Sequence, residues 1–319
     1  MYHLIKCKCA NIPTPMAGLA LGIASLGWSW ENVAPGSGLR ELMALSAAVM
    51  LLLLLIKFIS QPLELWRELA HPVIGSVIPT FAMALMVVSS ALLNSHPAIA
   101  SGLWLFAVII HLAFLGIFLV QRLPVFELHH LLPSWFVPPV GIAVASLTCP
   151  SDTFYPLASA LLYFAMISYL LMMPLMIYRL IFADTIPDSA KPTIAVLAAP
   201  SSLCLAAYLS LIDDPSLLVA TMLGGVAILM TCVIYIAFFH LLRLPFSPGY
   251  AAFTFPMVIS ATALFKEAKL ISQYQLPPEL LQALQQAAHI ELTIATVVVA
   301  YVALRYCRHY TMSAKPSLA

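Results

Sequence analysis

The stretch that decides the fold is YAAFTFPMVISATALFKEA, residues 250–268, in which Pro256 interrupts an apolar run long enough to cross a membrane. Proline lacks a backbone N–H and clashes with the preceding turn, so it kinks or breaks a helix. In a bilayer such a break is tolerated where neighbouring helices or a water-filled cavity satisfy the freed backbone groups. A single proline in a membrane helix often only shapes its packing, so the position of this span depends on whether the proline recurs.

The same arrangement recurs along the chain, because four prolines stand in apolar spans that continue with small and hydroxyl residues. These prolines, separated by 60, 61 and 56 residues, are Pro79, Pro139, Pro200 and Pro256. The period is two spans long, so the repeating unit is a helical hairpin, and five hairpins fit the chain. In the first hairpin the equivalent position falls near Ala20, so its kink lies either at Pro15 or at Gly18 and Gly22.

The composition requires a bilayer as the solvent. Of the 319 residues 62% are hydrophobic and only 8% are charged, and the mean hydropathy is +1.00. A soluble domain carries about 25% charged residues. The net charge of +1 offers no surface for nucleic acid. Segments of about 20 apolar residues give ten candidate spans: 13–30, 41–60, 72–93, 98–120, 134–149, 156–182, 192–212, 216–242, 249–268 and 287–306.

The predicted fold is an all-α integral membrane protein of ten transmembrane helices, arranged as five tandem helical hairpins in quasi-five-fold order around a central pore. The odd-numbered, proline-kinked helices form the inner ring, and the uninterrupted even-numbered helices face lipid. One channel or transporter domain, 13–306, is expected between short cytoplasmic tails at 1–12 and 307–319. Eleven of the 14 Lys and Arg residues fall on one side of this topology, which predicts that both termini are cytoplasmic.

The predicted path is neutral, because the inner spans contain no Asp, Glu, Lys, Arg or His within 13–30, 73–93, 134–149, 193–212 or 249–265. Proton relays in membranes need such residues, and metal paths need carboxylates or histidines. We therefore predict no metal, no cofactor and no enzymatic activity. Hydroxyls such as Thr80 and Ser201 are expected to line the path beside the kink prolines.

Ionisable residues outside the inner spans are predicted to have structural roles. His111 and Glu291 lie in even-numbered spans and are expected to serve helix packing. Glu127, His129 and His130 are expected to form a solvated turn. Cys7 and Cys9 have no second pair to complete a metal site. The polar stretch 266–286 is expected to be a short amphipathic excursion before the last span.

Phe255, immediately before Pro256, is the candidate gate. An apolar constriction blocks ions by excluding water, and a change of rotamer could reopen it. From the residues alone, ordinary packing is the competing interpretation of this ring.

The five inner stretches together resemble the tellurite-resistance/dicarboxylate transporter family, which includes bacterial TehA and the plant slow anion channels. The resemblance lies in IPTPMAGLALGIASLGW, HPVIGSVIPTFAMALM, LPSWFVPPVGIAVAS, IAVLAAPSSLCLAAYLSLI and FTFPMV, and it extends over about residues 12–306. It implies ten helices around a central pore, assembly as a homotrimer in a bacterial inner membrane, and a phenylalanine plug at the position of Phe255. It also implies transport of small inorganic or organic anions, weakly hydrated ones preferred.

Three functions remain open from the sequence. The leading interpretation is an anion channel or channel-like exporter gated by Phe255. The alternative is a carrier or exporter for C4-dicarboxylates, sulfite or tellurite-type oxyanions, although no Lys or Arg in the inner spans is available to bind a divalent substrate. The third is a membrane interaction protein with a permanently closed core.

Overall fold

The computed structural model describes residues 12–274 and 277–313, and within these residues it contains helices and turns but no strand. The predictions for Cys7 and Cys9 lie outside the described residues. The α-helices are α1 (Met16–Trp30), α2 (Leu39–Ser60), α3 (Pro62–Ala70), α4 (Ile74–Val77), α5 (Thr80–Ala91), α6 (Pro97–Arg122), α7 (Val137–Val140), α8 (Ala143–Leu147), α9 (Tyr155–Phe182), α10 (Ala199–Leu211), α11 (Leu217–Leu241), α12 (Thr254–Ile271) and α13 (Pro278–Ser313). Short 3-10 helices cover Leu128–His130, Pro133–Phe136, Asp152–Phe154, Lys191–Ala198 and Pro248–Phe253.

Eight helical stretches of the described chain are long and apolar enough to cross a membrane. These stretches are Leu39–Ser60, Ile74–Ala91, Pro97–Arg122, Asp152–Phe182, Lys191–Leu211, Leu217–Leu241, Pro248–Ile271 and Pro278–Tyr310. The other two predicted spans correspond to the 15-residue helix α1 and to residues 133–147, which are divided among three short helices. The protein is therefore a multi-pass, all-helical membrane protein.

Burial alternates along the chain. In Ile74–Ala91, Lys191–Leu211 and Pro248–Ile271, 78–83% of the most apolar window is buried inside the protein. In the five outer helices α2, α6, α9, α11 and α13 only 28–39% is buried. We call the buried stretches, together with α1 and 133–147, the five inner segments. The segments with the four periodic prolines lie inside, as predicted, and the outer helices present apolar side chains outward, although α9 also contains an exposed internal proline, Pro174.

The inner segments pack against one another in a closed order. Helix α1 contacts α5, α5 contacts α8, α8 contacts α10, α10 contacts α12, and α12 contacts α1 again. Each inner segment also packs on the outer helix that follows it in the chain. The interior of the protein is therefore surrounded by five consecutive wall elements.

The inner segments are not simply kinked α-helices, which differs from the prediction. The fourth and fifth begin as 3-10 helices, Lys191–Ala198 and Pro248–Phe253, and become α-helical only at Ala199 and Thr254. The third begins with the 3-10 helix Pro133–Phe136. In an α-helix the carbonyl four residues before a proline has no N–H partner. In a 3-10 helix that carbonyl accepts from the residue just before the proline, because the hydrogen bonds join residues i and i+3.

The helix ends follow ordinary chemistry. The second inner segment begins where His71 Nδ1 accepts hydrogen bonds from the backbone N–H groups of Val73 and Ile74, each at 3.2 Å. Helix α2 follows Gly38, whose φ of 74° favours glycine. Helix α6 begins with Pro97 in its first turn, where a missing N–H costs nothing.

A buried ion pair fixes the start of α1. The Lys57 ammonium lies 2.7 Å from Glu68 Oε1 and 2.8 Å from the hydroxyl oxygen of Thr14, and that hydroxyl donates to Glu68 Oε2 at 2.6 Å. Lys57 is at the end of α2 and Glu68 is on the short helix α3. The three groups therefore hold α2, α3 and the residue before Pro15 together.

The polar stretch before the last span is not the separate excursion that the sequence predicted. Helix α12 continues to Ile271, and α13 is one 36-residue helix from Pro278 to Ser313. Most of the predicted excursion is therefore the last turn of α12 and the first turns of α13.

Candidate functional site

A cavity of about 90 Å³ opens among the beginnings of the inner segments. All five segments contribute to its wall, for example through Gly18, Thr80, Val140, Pro200 and Phe255. This volume is well above the roughly 10–15 Å³ that one water molecule needs. The cavity is therefore large enough for a hydrated small solute.

The wall is neutral. None of the described residues that line the cavity is Asp, Glu, Lys, Arg or His, and only Thr80, Ser189 and Thr193 carry hydroxyls. The remaining wall consists of aliphatic, aromatic, glycine and proline residues. This agrees with the absence of ionisable residues that the sequence showed for the inner spans.

The structure places the predicted site residues in two groups. Phe255, Gly18, Thr80, Pro200 and Pro256 line the cavity. The others are not among the lining residues, and they are Gly22, Pro79, Pro139 and Ser201. Pro79 caps the start of α5 and Pro139 lies within α7, whereas Ser201 is fully buried. Pro79 and Pro139 therefore interrupt their segments at positions that do not line the cavity.

Phe255 lies where the cavity ends. The lining residues farthest along their segments include Leu21, Met83 and Leu203, together with Phe255 and Pro256 on the fifth segment. The Phe255 ring is 7% exposed and packs with these side chains in one apolar core cluster. Bulky apolar side chains therefore surround the cavity at the level of Phe255.

The neighbouring ring, Phe253, has a different environment. It is completely buried and packs edge-on against Phe238 of α11, with ring centroids 5.4 Å apart. It also contacts the Tyr250 ring at 4.8 Å and does not line the cavity. Phe255 therefore faces the cavity, whereas Phe253, two residues earlier, faces the outer helix α11.

Carbonyl oxygens near the breaks accept hydrogen bonds from side chains. The Thr254 hydroxyl lies 2.7 Å from the carbonyl oxygen of Ala251 and 3.1 Å from that of Gly18, which belongs to another inner segment. His111 of α6 is fully buried, and its Nε2 lies 2.8 Å from the carbonyl oxygen of Pro138. The predicted packing role of His111 thus has a specific form: an outer helix supplies a donor to a broken inner segment.

A chain of hydroxyls performs the same task between α10, α11 and α12. Ser202 donates to the Ala198 carbonyl at 2.9 Å, and Ser260 donates to the Pro256 carbonyl at 2.9 Å. The two hydroxyl oxygens are 3.1 Å apart, and Thr231 of α11 donates to Ser260 at 3.0 Å. Carbonyl dipoles around the breaks are therefore engaged by donors within the protein.

Gly22 allows α1 to approach the fifth inner segment. A Cβ atom at this position would collide with the side chain of Thr254. Gly18, one turn earlier, faces Ala251 with ordinary contact distances. Of the two explanations left open for the first hairpin, Gly22 has a clear packing reason, while Pro15 directly precedes α1 and lines the cavity.

Sequence reasoning missed most of the apolar wall. Leu21, Met83 and Leu203 look like ordinary core residues in the sequence, and nothing in their composition separates them from lipid-facing leucines. One weak signal was available: in the first segment the lining residues Pro15, Gly18 and Leu21 are spaced by three.

Two carboxylates are buried in the bundle outside the cavity wall. Glu267, near the end of α12, is 4% exposed and packs against Gly224 of α11. Glu291 of α13 accepts a hydrogen bond from the Tyr235 hydroxyl. Neither carboxylate lines the cavity, so the neutral wall and these acidic groups belong to different parts of the bundle.

Comparisons with known proteins place this geometry in context. A model of the SLAC1 family, described as voltage-dependent anion channel, matches residues 15–306, which include all five inner segments. An uncharacterized transporter of Methanocaldococcus jannaschii is 26% identical over 240 residues, which cover 66% of this chain and 68% of that protein. A second one from the same organism is 25% identical over 219 residues, covering 60% and 62%. The tellurite resistance protein TehA homolog of Haemophilus influenzae is 25% identical over 268 residues, covering 80% and 81%.

Proposed function

This chain belongs to the SLAC1 family of voltage-dependent anion channels, and we propose that it conducts small, weakly hydrated anions along a neutral path that Phe255 closes. The observation that carries this proposal is the neutral cavity, which is formed by all five inner segments and ends at that ring. A neutral wall cannot replace a strongly held hydration shell. Ions that give up water easily, such as nitrate, should therefore pass more readily than chloride.

The helix ends give this neutral wall a preference for anions. With their 3-10 turns included, four of the inner segments begin at Met16, Ile74, Lys191 and Pro248, at or within two residues of residues that line the cavity. The N-terminus of a helix carries roughly +0.5 elementary charge. Four such ends around one cavity favour an anion without any charged side chain, and the hydrogen-bonded carbonyls offer little attraction to a cation.

The proposal includes the architecture and setting that the family resemblance implies. One domain, 13–306, forms ten spans in five hairpins around a central pore, and three copies assemble in a bacterial inner membrane. The closed packing order of the inner segments supports the hairpin arrangement. The distribution of Lys and Arg supports cytoplasmic termini. The cavity then opens toward the cytoplasm.

A carrier for C4-dicarboxylates, sulfite or tellurite-type oxyanions is the second candidate. The names of the relatives favour it, since two are transporters and one is a tellurite resistance protein homolog. The neutral wall disfavours it, because a divalent substrate would lose water without gaining a cationic partner.

Purified protein in planar bilayers distinguishes the two functions. Under a chloride gradient a channel gives a current that reverses near the anion equilibrium potential, and replacing chloride by nitrate should increase it. Wild type and Phe255→Ala should both be recorded, since the wild-type path is closed. No current from either protein, with saturable uptake of labelled sulfite or dicarboxylate into vesicles, would replace the channel by the carrier.

A further inference from the structure

Three side chains that can bind metal converge on the loop between α6 and the third inner segment. Glu127, His129 and His130 each place a ligand atom within 4.8 Å of the others. His129 Nδ1 lies 3.2 Å from Glu127 Oε2, and the two imidazole rings have centroids 4.1 Å apart. Donor atoms around one tetrahedral Zn²⁺ are about 3.3–3.6 Å apart, given bonds of about 2.0–2.2 Å. Small rotations of exposed side chains would bring this cluster to that spacing.

A backbone hydrogen bond fixes the tautomer of one imidazole. His130 Nδ1 lies 3.2 Å from the carbonyl oxygen of Val125, and a carbonyl can only accept, so Nδ1 carries the proton. The lone pair is therefore on Nε2. Metal-binding histidines almost always donate their second nitrogen to a carbonyl or carboxylate in this way, which fixes the ring and the tautomer.

The loop is held by a buried arginine. Arg179, at the end of α9, is 2% exposed and donates to the carbonyl oxygens of His129 at 3.4 Å and Asp184 at 2.8 Å. The residues that follow the cluster, Leu131 and Leu132, are buried in the core. The backbone at His129 and the residues after the cluster are thus tied to the bundle, while the ligand side chains remain accessible.

We propose that Glu127, His129 and His130 bind a late first-row divalent metal ion of the Zn²⁺ class, with water completing the coordination. Two imidazoles and one carboxylate suit Zn²⁺, Ni²⁺ or Cu²⁺ better than the oxygen-seeking Mg²⁺ or Ca²⁺. The sequence predicted only a solvated turn here, because adjacent histidines carry no spatial information until the loop is folded. The site lies outside the membrane-spanning helices and does not depend on the proposed channel function.

Zinc titration by calorimetry of the purified, metal-stripped protein tests the site. Cys7 and Cys9 are a competing thiol pair, so every protein in the series should carry Cys7→Ser and Cys9→Ser. In this background we expect one Zn²⁺ per chain. Replacing both His129 and His130 by alanine should weaken binding by about 100-fold or more, because losing even an outer-shell partner costs about 10–100-fold. His96→Ala, an exposed histidine at the start of α6, is the matched control and should leave binding unchanged.

Two further measurements guard against a false assignment. Bound Co²⁺ should show the visible d–d bands of nitrogen and oxygen ligands without a thiolate charge-transfer band. Acidification should weaken binding, because protonated imidazole cannot bind a metal. The proposal is overturned if the parent protein binds no Zn²⁺, or if the double variant and the His96→Ala control bind it equally. Unchanged thermal unfolding of the double variant without metal would exclude loss of fold as the cause.

Discussion

The sharpest prediction concerns Phe255→Ala. The ring lines the neutral cavity and belongs to the same apolar core cluster as Leu21, Met83 and Leu203. Its removal should enlarge the cavity toward that core. If the ring is the gate, anion current should rise although a stabilising side chain has been lost.

The structure sets the scale of both effects. Truncating a fully packed phenylalanine costs about 3–5 kcal/mol of stability. Because one face of Phe255 already borders the cavity, we expect a loss of about 2–3 kcal/mol. For conduction, each 1.4 kcal/mol removed from a barrier is about tenfold in rate. If the Phe255 ring adds about 1.4–2.8 kcal/mol to the barrier, its removal should increase the current about 10- to 100-fold.

The assay is the planar bilayer recording under a chloride gradient, with Phe253→Ala as the matched control. Both variants lose one buried benzyl group from the same segment, but Phe253 packs on Phe238 and Tyr250, away from the cavity. Phe253→Ala should therefore lose at least as much stability in a thermal unfolding measurement and gain no current. Equal currents from both variants would mean that weakened packing causes a leak. An unchanged current in well-folded Phe255→Ala would remove the gate assignment.

The remaining predictions use the same preparations. Phe255→Leu should increase the current less than Phe255→Ala, because a leucine still fills part of the constriction; a larger current than that of the alanine variant would contradict this. His111→Ala should lower thermal stability, with about 1–3 kcal/mol arising from the unsatisfied Pro138 carbonyl, and His111→Gln should recover part of it if donation is what matters. Burial, and then the charge of Arg122, lower the pKa of His71, so its neutral ring stabilises the fold above the unfolded pKa of about 6.5. That contribution should be lost as the pH falls below this value, and His71→Asn, which can cap without titrating, should show a flatter stability profile in this range.

The alternation of inner and outer spans was predictable because it rests on chemistry that acts within each span. A proline removes a donor wherever it stands, and neighbouring helices are the readiest source of a replacement. One proline alone is a weak signal, since Pro174 stands exposed in the outer helix α9, but prolines at a regular spacing are a stronger one. Pro79, Pro200 and Pro256 therefore identify segments that are 78–83% buried. The absence of charge was equally visible in the sequence, and it reappears as a wall without ionisable groups.

The form of the breaks was not predictable, because it depends on partners from other segments. The sequence predicts kinked helices, whereas the structure has 3-10 helices at Lys191–Ala198 and Pro248–Phe253. Thr254 bonds to Gly18, 236 residues away, and His111 bonds to Pro138. Such pairings require the order in which the segments pack. The same holds for the proposed metal site, since Glu127 comes together with the two histidines only in the folded loop.

These distant donors bear directly on how a neutral path can distinguish anions from cations. A broken helix normally exposes carbonyl oxygens, and a ring of free carbonyls attracts cations, as in potassium-selective filters. Here the carbonyls of Gly18, Ala251, Pro138, Ala198 and Pro256 are engaged by hydroxyls or by an imidazole. Four inner segments also begin, with the positive ends of their helices, at or near the cavity. On the proposed channel function, the prolines interrupt the wall, and the hydroxyls and His111 keep these carbonyl oxygens from attracting cations.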